Sequence, residues 1–174
     1  MLELRRGTRI VGARLGARLD AMKALETRVP PVAQFFVAMA IMWLLAKYVP
    51  ALSVQVPGRK LLVALFFCVG GIIAVPAIAA FRSAGTTVDP RRPEEASRLL
   101  VHGVYSYSRN PMYLGLLCLL GAWAFYLSNL LACVGLPLFV LAMNRLQIGP
   151  EERAMERQFG DEFRAYRESV RRWI

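Results

Sequence analysis

Residues 102–115 form a polar and aromatic segment whose side chains could bind a charged small molecule. Asn110 is a favourable helix N-cap and Pro111 suits the first helical position, so this pair predicts the start of a helix. Free N–H groups and the positive end of the helix dipole, with Arg109 beside them, favour a carboxylate or a phosphate. The residue types alone leave two alternatives, a structural helix start and a ligand-binding loop.

A second charged group, Glu151-Glu152, follows a long apolar run. The helix dipole alone explains acidic residues in a first helical turn. On a helical wheel of residues 151–174, however, Glu152 falls inside an apolar arc and Glu151 lies at its edge. The arc consists of Met155, Phe159, Phe163, Tyr166, Val170 and Trp173. Because a buried carboxylate needs a cation or a donor, we expect either an internal salt bridge, to Arg145 or Arg109, or a ligand's ammonium group.

The histidine and cysteine content excludes several kinds of site. His102 is the one histidine, and the three cysteines lack metal-ligand spacing, so a His-rich zinc or di-iron centre is excluded. The chain has no glycine-rich phosphate-binding motif, which excludes a soluble Rossmann or P-loop domain. Histidine changes charge near neutral pH, so His102 is either a general base or an ordinary surface residue.

The composition is that of a membrane protein. Of the 174 residues, 56% are hydrophobic, and the mean hydropathy is +0.42, which indicates one membrane-embedded domain over residues 1–174. Residues 32–49 and 61–81 each have the length of a transmembrane helix. The run 111–144 would form a helix of about 50 Å, too long for one crossing. With a turn at Ser128-Asn129, we predict a helical hairpin and an all-α membrane protein of about four transmembrane helices.

The distribution of lysine and arginine predicts the orientation. Residues 1–31, 82–110 and 145–174 together hold nineteen of these residues, whereas the 47–60 connection holds three and the hairpin turn none. The positive-inside rule therefore puts both termini in the cytoplasm. The net charge of +10 is explained by this topology and by attraction to anionic lipid, and no nucleic-acid-binding motif accompanies it.

The two ends of the chain are predicted to be amphipathic. Residues 1–29 lack the unbroken apolar core of a signal peptide. One side of their helical wheel carries the apolar residues Leu4, Val11, Leu15, Leu19, Met22 and Leu25. This pattern favours an interfacial helix at the membrane surface. The apolar arc of residues 151–174 predicts a second amphipathic helix at the carboxyl terminus.

Several short motifs occur together in the second half of the chain. They are Gly85-Thr86-Thr87, Pro90 to Pro93, Gly103-x-Tyr105, Ser108-Arg109-Asn110-Pro111-x-Tyr113-x-Gly115, Arg145, Glu151-Glu152, Phe159-Gly160, Tyr166 and Val170. In this order and spacing, the chain resembles the isoprenylcysteine carboxyl methyltransferase family, including its bacterial relatives and the phospholipid N-methyltransferases. The eukaryotic enzymes have histidine where this chain has Asn110, which cannot titrate.

The resemblance implies S-adenosylmethionine as the cofactor, held without a Rossmann fold by residues 82–174. Carried over by position, the pocket would be lined by Tyr105, Arg109, Asn110, Pro111, Tyr113 and Glu152, with Glu151 and Arg145 in support. His102, Gly103 and Val104 belong to the same cofactor loop, and Arg109, Glu152 and Arg145 are the predicted catalytic residues. The implied reaction is methyl transfer to a lipophilic acceptor, an isoprenylcysteine carboxylate-like group or a lipid, at the cytoplasmic face of a bacterial inner membrane.

Two alternatives belong to other functional classes. Sterol reductases share the Arg-x-Pro-x-Tyr pattern of residues 109–113 and use NADPH, but they have many more membrane spans. A small membrane scaffold or transport subunit would retain the fold without the chemistry. Ionisable residues inside the spans would mark a transport path, and these spans have almost none.

Overall fold

The computed structural model of the chain describes residues 29–83 and 99–174. Within these ranges the protein is helical and has no β-strand. The main helices are α1 (Pro31–Tyr48), α2 (Arg59–Ser83), α3 (Pro111–Leu127), α4 (Gly135–Met143) and α5 (Gly149–Ser169). A π-helix, Asn144–Ile148, joins α4 to α5, and short 3-10 helices occur at Pro50–Leu52, Gly103–Ser106 and Ala132–Val134.

The predicted all-α membrane architecture is confirmed. α1 covers the expected span 32–49 except for its last residue, Val49, and α2 covers the expected span 61–81. The hairpin turn lies where it was expected, because α3 ends at Leu127 and Ser128 takes the left-handed conformation at φ 49°. Among the described residues, three helices are long and apolar enough to cross a membrane, and α3 is a shorter apolar helix of 17 residues.

The second arm of the hairpin is longer than predicted. Instead of ending near residue 144, the helical segment runs from Ala132 to Ser169, with one kink at Gly160. The π-helix ends at Ile148, two residues before Pro150, whose missing N–H interrupts the regular hydrogen-bond pattern without ending the helix. The apolar first half of this long helix is therefore continuous with the charged helix α5.

The hairpin turn contacts the connection between α1 and α2. The Asn129 side chain donates from Nδ2 to the Val49 carbonyl at 2.9 Å, and the Val54 N–H donates to the Ser128 carbonyl at 2.8 Å. These two segments therefore share one end of the helices, and residues 99–113 lie at the other end. The relative positions agree with the predicted topology, while the assignment of the second end to the cytoplasm stays a prediction.

Helices α2 and α3 approach closely because glycines face each other. A Cβ atom on Gly115 would lie 2.7 Å from the Ala74 Cβ, and one on Gly70 would lie 3.0 Å from the Gly115 carbonyl oxygen. Small residues at such a crossing allow backbones to pack without intervening side chains, as is common between membrane helices.

Replacing Gly115 by alanine is therefore expected to lower the free energy of unfolding by about 1–3 kcal/mol, because Ala74 is a short side chain that cannot swing away. Gly71 is a matched control on α2, since a Cβ atom there meets nothing within 4 Å. Thermal unfolding of both alanine variants in detergent tests the expectation. Equal midpoints for Gly115→Ala and Gly71→Ala would contradict close packing at Gly115.

The apolar arc of the carboxyl-terminal helix is partly confirmed. Phe163, Tyr166 and Val170 are buried together, and Leu99, Val101, Met155 and Phe159 pack against them. The helix does not continue to residue 174, however. It is interrupted at Gly160, where φ is +53°, and it ends at Ser169, because Val170 is extended. Residues 170–174, here called the carboxyl-terminal strap, therefore leave the helix axis.

Two predictions fall outside the described residues. The interfacial helix was placed at 1–29, of which the structure describes only Val29. The family-like stretches Gly85-Thr86-Thr87 and Pro90 to Pro93 also lie outside it.

Candidate functional site

A cavity lies at the end of the helices opposite the hairpin turn. It is formed by the end of α2, the segment 99–113, the first turn of α5 and the buried face of α5. Its lining residues are Phe81, Leu99, Leu100, Tyr105, Arg109, Asn110, Pro111, Met112, Tyr113, Glu151, Glu152, Met155, Phe163 and Tyr166. About 100 Å³ is open to the centre of a water-sized molecule, and the empty space including the open mouth is about 660 Å³.

Arg109 joins the cavity to the end of α5. Its Nη1 donates to the carbonyls of Arg167 at 2.8 Å and Val170 at 2.7 Å. Its backbone N–H donates to the Arg171 carbonyl at 3.0 Å. The last carbonyls of a helix have no partner within the helix, and a cation stabilises this negative end. The Arg109 side chain is 10% exposed, yet its buried Nε has no hydrogen-bond partner in the part of the chain that the structure describes.

Glu152 is held between two guanidinium groups. Arg109 Nη2 lies 2.7 Å from Oε1, and Arg172 binds both carboxylate oxygens, with Nε 3.0 Å from Oε1 and Nη2 on Oε2. Of the two alternatives left open for this carboxylate, the structure shows the internal salt bridge. One partner, Arg109, was expected. The other is Arg172 rather than Arg145, which is exposed on the π-helix.

Glu151 has different surroundings. Its Oε1 accepts hydrogen bonds from the Tyr113 hydroxyl at 2.6 Å and from Gln147 Nε2 at 2.5 Å. Both donors are neutral, and the described lysines and arginines form no ion pair with Glu151. Two adjacent glutamates therefore differ, because Glu152 has two cationic partners and Glu151 has none among the described residues.

The strap closes one side of the site. The Arg172 carbonyl accepts hydrogen bonds from Asn110 Nδ2 at 2.9 Å and from Ser108 Oγ at 3.4 Å. Trp173 Nε1 donates to Asn144 Oδ1 at 3.1 Å. Asn110 occupies the N-cap position of α3 as predicted, but its side chain does not cap the helix. It binds the strap instead, so the first N–H groups of α3 have no side-chain cap.

Tyr105 is a buried aromatic wall of the cavity. Its carbonyl accepts a hydrogen bond from the Tyr166 hydroxyl at 2.7 Å, and its own hydroxyl donates to the Ala77 carbonyl at 3.4 Å. Burial, followed by the nearby Tyr166 and Glu151, raises the pKa of the Tyr105 phenol well above its ordinary value. Tyr105 is therefore a neutral group at any physiological pH and contributes its ring and its carbonyl.

The structure brings most of the predicted site residues together. Those that line the cavity are Tyr105, Arg109, Asn110, Pro111, Tyr113, Glu151 and Glu152. Four others do not line it. His102 and Gly103 are exposed, with Gly103 at φ +64° in the turn before Tyr105. Val104 lines a neighbouring groove, and Arg145 points away as an exposed residue.

Two residues of the site were missed from the sequence, Arg172 and Gln147. Arg172 lies twenty positions beyond Glu152, and the two meet only because the helix ends at Ser169. Gln147 reaches Glu151 from the π-helix, and its i,i+4 spacing was the available signal.

The sequence is similar to those of known proteins over part of its length. The profile of a family described as phospholipid methyltransferase matches residues 59–162, which is more than half of the chain. A protein of Haemophilus influenzae, described only as uncharacterized, is 49% identical over 63 residues, which are 36% of this chain and the whole of that protein. No solved structure matches the chain.

Proposed function

Because the chain belongs to the phospholipid methyltransferase family, we propose that it transfers a methyl group from S-adenosylmethionine to a lipophilic acceptor. The apolar helices and the family together make it a membrane protein. The cavity described above is the proposed site, with Arg109 and Glu152 as its central charged pair. We assign cofactor binding to the predicted residues that line this cavity, which are Tyr105, Arg109, Asn110, Pro111, Tyr113, Glu151 and Glu152.

Arg109 is the observation that supports this proposal most. Its Nε–H is buried without an acceptor, and the residue lines the cavity. The first N–H groups of α3, next to it, also lack a side-chain cap. A buried donor without a partner is costly, so this part of the cavity favours an anionic group. The carboxylate of an amino-acid moiety, such as that of S-adenosylmethionine, has the required charge and size.

The same moiety carries an ammonium group, and Glu151 is the better of the two glutamates to accept it. A third cation at Glu152 would be repelled by the two arginines already bound. The described groups that contact Glu151 are neutral, and because burial raises the pKa of its carboxyl to about 7, an ammonium group there would favour the charged form. We therefore assign the ammonium to Glu151, and to Glu152 the role of holding Arg109 in the cavity wall.

The chemistry needs orientation more than acid–base groups. Bound S-adenosylmethionine would supply a methyl group that is already activated by its sulfonium. Tyr105 and Tyr113 line the cavity, and aromatic faces stabilise positively charged groups. The arginine and glutamate contacts fix the amino-acid end, so that the acceptor and the methyl group can align while water is excluded.

The direct test is transfer of labelled methyl groups. The purified protein, with S-adenosylmethionine labelled in its methyl group and a membrane lipid extract, should move label into the organic phase. Boiled protein and protein without lipid are the controls. If no label enters lipid, and none enters prenylated cysteine compounds, methyl transfer to a lipophilic acceptor is wrong.

The length of the acceptor's apolar tail should affect the rate. A lipophilic acceptor would reach the cavity from the bilayer, so each additional buried CH₂ group should add up to about 0.8 kcal/mol of binding. A series with one head group and lengthening tails is expected to show kcat/KM rising and then levelling. Equal rates with short water-soluble acceptors would show that the site opens only to water.

A further inference from the structure

A second cavity lies between α1 and α4, and we call it the α1–α4 groove. None of its lining residues lines the proposed cofactor cavity. About 320 Å³ is open to the centre of a water-sized molecule, and the total empty space is about 770 Å³. Its walls are apolar side chains of the two helices, with one polar exception, Gln34. The groove is thus shaped for an apolar ligand with one polar contact.

The direction of the groove follows from the packing of its two helices. Gly135, at the start of α4, packs directly on Met42 of α1. Gln34, near the start of α1, therefore lies at the same end of the groove as Leu146, which is the end of the helices opposite the hairpin turn. The groove runs about 10 Å along α1, from Gln34 to Ile41, and about 16 Å along α4, at 1.5 Å per residue. It runs along the helices, as the acyl chains of membrane lipids do.

Gln34 supplies the polar contact. The residue is 8% exposed, and its Nε2 donates to the Val29 carbonyl at 3.1 Å. This hydrogen bond fixes the orientation of the amide, because a reversed amide would place two oxygens together. The Oε1 atom is buried and has no hydrogen-bond partner among residues 29–83 and 99–174. Since an unsatisfied buried carbonyl is destabilising, an occupant that brings an N–H or O–H donor would be favoured.

We propose that the α1–α4 groove binds one chain of a membrane lipid whose head group donates a hydrogen bond to Gln34 Oε1. The apolar walls accept the chain, the direction of the groove matches that of the bilayer, and Gln34 selects a head group with an N–H or O–H donor. This site is separate from the proposed catalytic cavity, and the proposal does not depend on methyl transfer.

Photoactivatable lipids test the proposal. The protein is reconstituted in nanodiscs that contain phosphatidylethanolamine and phosphatidylcholine with identical diazirine-bearing chains. The first head group has N–H donors, whereas the second has none. Mass spectrometry of peptides from α1 and α4 is expected to show phosphatidylethanolamine adducts in excess at Ala38 and Ala142, by roughly threefold or more. Exposed α2 residues such as Leu61 and Phe67 should show no preference.

Three variants complete the test. Gln34→Leu should abolish the preference for phosphatidylethanolamine while the groove residues are still labelled. Ala38→Leu fills the groove and should reduce labelling there. Ala40→Leu, at an exposed position of the same helix that does not line the groove, should not reduce it.

Equal labelling by both lipids in the unchanged protein would overturn the proposal. Groove residues that become labelled only after removal of residues 1–28 would overturn it too, because the chain itself would then be the occupant.

Discussion

Replacing Glu151 by glutamine is expected to weaken S-adenosylmethionine binding by about 10- to 100-fold, because a charge-assisted hydrogen bond to the ammonium group is lost. Glutamine can still accept from Tyr113 and Gln147, which now bond to Oε1. The variant also removes a buried carboxyl group that has no cationic partner among the described residues. Thermal stability without cofactor should therefore stay the same or rise, while isothermal titration shows the loss of affinity.

Glu152→Gln is the matched comparison, one residue away and with the same change of atoms. It leaves Arg109 and Arg172 side by side without the carboxylate that joins them, so thermal stability should fall. Cofactor affinity should fall by at least about tenfold as well, because Arg109 loses an anchor. If Glu151→Gln binds normally and Glu152→Gln loses affinity at unchanged stability, the ammonium group binds Glu152 and our assignment is reversed.

Replacing Arg109 by glutamine is expected to reduce cofactor affinity by about 100-fold or more, since both the charge and the free Nε–H are removed. The variant also loses the bonds to the Arg167 and Val170 carbonyls, so a lower melting temperature is expected. Arg109→Lys keeps the positive charge but not the planar guanidinium group. This variant should bind S-adenosylmethionine about tenfold more weakly than the unchanged protein.

Arg171→Gln is the control for these variants. Its side chain is exposed, it lies on the strap beside Arg172, and the change removes the same charge. The binding stoichiometry from titration separates the two effects of each variant. Misfolding lowers the fraction of binding-competent protein, whereas a lost contact raises Kd at full stoichiometry. A normal Kd for folded Arg109→Gln would remove Arg109 from the site.

The helices could be predicted because their signals are local. Spans 32–49 and 61–81 are apolar runs of suitable length, and the turn at Ser128-Asn129 is the polar break in the next run. The end of the last helix could not be placed in the same way. Its end at Ser169 depends on packing, because Val170 is extended while its side chain is buried against Phe163 and Tyr166.

The site residues could be predicted only in part, because some of their signals are local and others depend on packing. Seven of the assigned residues line the cavity because the loop and the helix starts that carry them are marked by Gly103, Pro111 and Pro150. The apolar arc indicated that Glu152 needs a partner, but the wheel treated residues 170–174 as helix. Arg172 meets Glu152 only in the extended strap, so no helical spacing could reveal the pair.

The choice between the two glutamates also needed the structure. Both are adjacent in sequence, and only Glu152 falls inside the apolar arc, so the sequence favoured Glu152 as the ligand of an ammonium group. The structure shows that a position inside the apolar arc does not leave a carboxylate available to a ligand. Glu152, inside the arc, already has two cationic partners, Arg109 and Arg172, and Glu151, at the edge of the arc, has only neutral donors among the described residues.

The most direct test of the account is isothermal titration of the detergent-purified protein with S-adenosylmethionine and, separately, with NADPH. The account predicts saturable binding of S-adenosylmethionine at one site per chain, weakened in Glu151→Gln and unchanged in Arg171→Gln. It predicts no binding of NADPH, the cofactor of the sterol reductases that share the Arg-x-Pro-x-Tyr pattern of residues 109–113. Saturable NADPH binding without S-adenosylmethionine binding would contradict the assignment of this cavity to methyl transfer.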